Sequence, residues 1–179
     1  AYWNNAYVNA LTATGITVNS GKILPGANIA IDIGSTTAWF NVIYGNTFLG
    51  RSTTASYADL AENYQADAAY EPGTVVHFGG VNEVTLCDTD MCTKVAGVVS
   101  TAPAHLMNDQ LQGETVVALA LAGRVPTKVT GPVSKGDLMV SAGNGRARAE
   151  ANPKVGSVIG KALENSEGDA VIEVVIGKH

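Results

Sequence analysis

Two carboxylates and a hydroxyl crowd one short segment, Ser56-Tyr57-Ala58-Asp59-Leu60-Ala61-Glu62. In a helix, Asp59 and Glu62 would sit one turn apart on a shared face. Carboxyls so placed can split their protonation, one serving as acid and the other as base. Ser56 adds a hydroxyl that such a base could activate. The commoner role for such a pair is a solvated or capping face. Cys87 and Cys92 flank Asp88-Thr89-Asp90-Met91. Three states stay open for them. One is a disulfide across a hairpin, which requires Cα atoms within about 7 Å. Another is a pair of free thiols. The third is metal ligation, for which two further Cys or His ligands are missing from the sequence nearby. His77, His105 and His179 do not cluster in sequence, although a three-fold axis can gather one histidine per chain. The reading is therefore no metal and no cofactor. Gly143-Asn144-Gly145 lacks the Lys-Ser/Thr of a phosphate loop. No nucleophile elbow, zinc-protease helix or dinucleotide fingerprint occurs, so the chain reads as a non-enzyme.

These residues need elements to hold them. Tyr57, Leu60, Ala61 and Tyr64 fall at helical spacing, which predicts a short helix over 57–65 with Ser56 as N-cap. Helices this short are marginal in water, so it must pack on the following domain or on a neighbouring chain. From Glu71 onward the texture is strand, turn, strand. Candidate strands are Thr74–Phe78, Glu83–Cys87, Lys94–Ser100, Thr115–Ala122, Arg124–Gly131, Asp137–Ser141, Arg146–Ala149, Ser157–Glu164 and Ala170–Ile176. Pro72-Gly73, Gly79-Gly80, Lys135-Gly136-Asp137, Asn152-Pro153 and Glu167-Gly168-Asp169 punctuate them. Many short strands at close spacing predict a small β-barrel or sandwich.

Charge divides the chain. Of 179 residues with a formal net charge of −5, the first 50 hold only Lys22 and Asp32. An acidic balance argues against a nucleic-acid reader. The longest apolar run, Val116–Ala122, falls far short of the ~20 residues that span a bilayer, so membrane insertion is not expected. The neutral 1–50 stretch nevertheless carries Trp3, Tyr7, Trp39, Phe40, Tyr44 and Phe48, which disordered linkers usually lack. Asn and Thr can hydrogen-bond across chains where a buried charge would be costly. The segment Ala1–Leu11 also recurs in part as Ala38–Phe48, which implies stacked units. Its first copy starts at residue 1, so the native chain is expected to extend further upstream. The organisation expected is a shaft segment over 1–50, a hinge with a short helix over 51–69, and a β-domain over 70–179.

Ile33-Gly34-Ser35, Ala38-Trp39-Phe40-Asn41 and Phe48-Leu49-Gly50 resemble a repeat near the end of tailed-bacteriophage fibre proteins. Tyr57–Glu62, Tyr70–Val76, Val95–Thr101, Gly123–Pro126, Lys135–Leu138 and Val158–Glu164 continue that resemblance in order. Together they are similar to the C-terminal domain of fibre and virion structural proteins of T4-like phages and cyanophages. The resemblance implies a mainly β protein with an extended, intertwined N-terminal fibre segment and a C-terminal tip that caps it. It implies a homotrimer assembled in the host cytoplasm and carried on the virion, with the six aromatics packing between chains. Upstream fibre or virion proteins, and a host surface glycan or protein, are the implied partners. A more distant likeness is to the autoproteolytic C-terminal domains of phage neck-appendage proteins, which carry a Tyr-Ala-acidic motif before a β-rich domain. It implies, as the alternative, a self-cleaving chaperone using Ser56, Asp59 and Glu62.

Overall fold

The computed structural model describes Ser35, Thr37 and residues 59–177. The chain divides into two units, Ala1–Gly50 and Arg51–His179, and every described strand belongs to the second. In order these are β1 (Asp59–Gln65), β2 (Val75–Phe78), β3 (Val84–Leu86), β4 (Val95–Val99), β5 (His105–Met107), β6 (Val116–Val129), β7 (Leu138–Gly143), β8 (Arg146–Ala149), β9 (Val158–Ala162) and β10 (Ala170–Ile176). The described residues are all-β, as the turn-rich sequence predicts.

The helix expected over 57–65 is not formed in its described part. Asp59–Gln65 is a strand, paired antiparallel to β6 along its whole length and parallel to β5 at Leu60–Glu62. The cause is competition between local and non-local bonding. A helix this short has few internal hydrogen bonds with which to offset its nucleation cost. The sheet instead offers ladder partners on both sides, and Asp59 and Ala61 turn inward at period two.

β6 organises the unit. Its first half pairs with β1 and β4, and its second half with β10. Gly123, at φ +113°, is the handover, since it partners both Asp59 of β1 and Ile176 of β10. Few other residues tolerate that backbone angle. From β6 the ring runs through β10, β9, β7 and β8 and returns to β6 at Val129–Ala147. This closes a five-stranded barrel. Val125, Val129, Met139, Ala147, Ile159, Ile172, Val174 and Ile176 form its core, and closure leaves the ring without open edges.

The other strands make a sheet ordered β5-β1-β6-β4-β2-β3. Its middle is covered on both faces. Val75, Val98 and Ala120 join the barrel-side cluster, while their neighbours Val76, Val99 and Leu119 join a second cluster with Val84 and Val117. Adjacent apolar residues on β2, β4 and β6 therefore each have a core to enter, which accounts for apolar runs where a one-sided sheet would alternate.

Candidate functional site

Asp59 and Glu62, three apart on a strand, project to opposite faces of β1. Asp59 is buried, and its Oδ2 has no hydrogen-bond partner among the described residues. Glu62 instead accepts a hydrogen bond from the Tyr64 hydroxyl at 2.9 Å. Burial, then that bond to a carboxylate, holds the Tyr64 hydroxyl above its ordinary pKa. The strand thus does not bring the two carboxylates together. Ser56 lies outside the described residues, as do His179 and the aromatics Trp3, Tyr7, Trp39, Phe40, Tyr44 and Phe48.

The two cysteines behave differently. Both are free thiols, with Cys87 fully buried and Cys92 half-buried. Burial pushes the Cys87 thiol up from its ordinary pKa. Here the sheet supplies what the sequence hides. The ligand atoms of His77, Cys87 and Cys92 lie within 4.8 Å of one another. His77 comes from β2, ten positions before Cys87, and the β2–β3 hairpin folds it back over the cysteine loop. A bulge in the β2–β4 ladder between Val76 and His77 adjusts its aim, a common use of bulges. His77 shares the side of β2 on which Val75 enters the Cys87-containing cluster. Its Nδ1 is shielded from solvent and has no hydrogen-bond partner among the described residues.

The loop carrying the thiols is tied down from β7 and β2. Met91 N donates to Ser141 O at 2.9 Å, and Cys92 N donates to Ser141 Oγ at 2.8 Å. Ser141 Oγ itself donates to Thr89 O at 2.9 Å. Cys87 is held through its backbone, its N–H on Val75 O and its carbonyl accepting from Gly145 N. Arg148 grips Asp90 with both Nε (2.6 Å) and Nη2 (2.9 Å) and reaches Glu150 at 2.8 Å. The Arg148 bond holds the Asp90 carboxyl below the usual carboxylate range. A backbone N–H at Asn152, followed by Arg148, does the same for Glu150. A cleft of about 360 Å³ opens over the loop, with His77, Asp88, Cys92, Lys94 and Lys154 among its walls. His105 stands apart, exposed on β5.

No protein-family model and no curated protein matches the chain. Among solved structures it is similar to the N base of head fibre gp8.5 of bacteriophage phi29. That likeness has 11% identity and a TM-score of 0.41, over 65% of this chain and 92% of that one.

Proposed function

We propose that the chain is a structural component of a bacteriophage virion, the C-terminal tip of a homotrimeric fibre. In this reading it caps and trimerises the shaft, meets a host surface glycan or protein, and does no chemistry. One observation supports it above the others. The segments resembling phage fibre proteins coincide with joints of a single β unit. Tyr70–Val76 leads into β2, Val95–Thr101 contains β4, Gly123–Pro126 holds the handover in β6, Lys135–Leu138 turns into β7, and Val158–Glu164 contains β9. The closed barrel suits a cap, since its five strands offer no open edge for unwanted pairing, and only the short β3 and β5 remain as edges of the adjoining sheet. The neutral, aromatic-bearing stretch before Arg51 suits burial between chains. Light scattering of the purified chain tests the assembly: three copies of 18.4 kDa are expected, and a folded monomer refutes the trimer. Antibody labelling of purified particles tests location, with label expected on fibres and its absence from particles refuting the virion role.

The alternative, autoproteolysis, is supported by the buried carboxylate oxygen of Asp59 that has no partner among the described residues. It is tested by expressing the chain with its upstream fibre, as wild type and Asp59→Asn, on a denaturing gel. Two fragments from wild type against one band from the variant would establish cleavage. A single full-length band from both leaves Asp59 structural.

A further inference from the structure

We propose that His77, Cys87 and Cys92 form a binding site for one thiophilic divalent cation of the zinc class, which staples the 87–92 loop to β2. Three donors of two kinds converge within 4.8 Å. In tetrahedral zinc sites the bonds are about 2.3 Å to sulfur and 2.0–2.1 Å to nitrogen, so the donors need close by only about an ångström. Two thiolates and a neutral imidazole balance a dication, leaving a site with no net charge. That suits a position whose deepest ligand, Cys87, is fully buried.

The His77 ring gives the independent sign. A shielded imidazole nitrogen without a partner is costly unless something occupies its lone pair or accepts its proton. Nδ1 of His77 has no such partner among the described residues, and a cation bound through that nitrogen would supply one. The surroundings are also built in the manner of an outer shell. Ser141 is fully buried and spends its hydroxyl on orienting the Cys92 and Thr89 backbone, as outer-shell groups orient metal ligands. His77 and Cys92 both line the cleft, so the fourth position is open to water or to another donor. Binding replaces the two thiol protons by two metal–sulfur bonds and releases both protons to solvent. No electron is transferred. A Cys87–Cys92 disulfide would consume the same sulfurs, so the two states exclude each other.

The test uses the full chain, reduced and freed of metal with a chelator, then titrated with cobalt(II). We expect one cobalt per chain, with the thiolate-to-cobalt charge-transfer band and the visible bands of tetrahedral cobalt, bleached by zinc. His77→Ala and Cys92→Ser should weaken binding by more than the roughly 10- to 100-fold that outer-shell changes cost. His105→Ala should leave it unchanged. Absence of the cobalt–thiolate band in folded wild type overturns the proposal, as does an undiminished band in His77→Ala. Should either variant unfold, wild type alone decides. Zinc must protect the half-buried Cys92 thiol from alkylation and shift the His77 ring resonances, and failure of either overturns the site.

Discussion

Gly160 lies in β9 between Met139 of β7 and Ile176 of β10, and the barrel depends on its lacking a side chain. A Cβ built there would stand 2.0 Å from Val175 O and 2.8 Å from Val175 C. Ordinary contact begins near 3.4 Å, so Gly160→Ala must push β9 and β10 apart by about 1.4 Å. The obstacle is backbone, so no rotamer change relieves it. β10 is also bonded to β6, so the displacement cannot pass outward without loosening a second ladder. Overpacking strain costs about 1–3 kcal/mol, and each weakened ladder bond adds about 1 kcal/mol. The total expected is about 3–5 kcal/mol, a large part of a typical folding free energy of about 5–15 kcal/mol. Urea unfolding followed by far-UV circular dichroism measures it. Gly168→Ala is the control, because nothing lies within 4 Å of its Cβ. That change should be neutral, or stabilising by about 0.4–1 kcal/mol through a less flexible unfolded chain. If Gly160→Ala unfolds within about 0.5 kcal/mol of wild type, the barrel does not close at β9–β10 as described.

Three further outcomes are expected. Gly145→Ala places a Cβ 2.7 Å from both Leu86 Cδ1 and Thr74 Cγ2 at φ +67°, so the midpoint of urea unfolding should drop by the equivalent of about 1–3 kcal/mol. Because Arg148 depresses the Asp90 pKa, the pair's stabilisation is present above the unfolded carboxylate pKa of about 4 and is lost as pH falls through the lower folded value. The pair is half exposed, so its share is about 1 kcal/mol at most after screening, and Arg148→Ala should remove that pH dependence from acid-unfolding curves. Asp59→Asn exchanges a buried carboxylate oxygen, without a partner among the described residues, for a neutral amide, so equilibrium unfolding should show no loss and a gain of up to about 1 kcal/mol. A clear destabilisation would mean that the carboxylate has a charged partner.

The β-domain was legible because its strands are short and its turns carry their own chemistry. Arg146–Ala149 and Ala170–Ile176 match β8 and β10 end for end, and β2, β3, β4 and β9 match within two residues at each end. Two candidate strands, Thr115–Ala122 and Arg124–Gly131, are one strand, β6. Gly123 reads as a break but is a change of partner, and a partner cannot be read from local sequence. β5, three residues among exposed neighbours, carries no apolar pattern to announce it. The misreading of 57–65 has the same origin, since spacing at i, i+3, i+4 fits a helix while the deciding bonds reach to Leu119 and Leu106. The candidate site was half legible. Cys87 and Cys92 stand out by type, whereas His77 joins them only through hairpin register and a bulge, which are long-range properties. The carboxylate pair failed for the opposite reason, because its proximity depended on the helix.

β6 is a full member of two sheets, and this bears on how the unit comes apart. If each cluster were served by separate strands, one could open while the other stayed folded, as independent cooperative blocks do. A continuous Val116–Val129 removes that freedom, because losing either flank exposes half of the strand that walls the other. Amide hydrogen exchange should accordingly find both halves of β6, on either side of Gly123, opening only with global unfolding and with one common free energy. A protease would then meet no long-lived half-open form of residues 59–177, which would survive or be lost together.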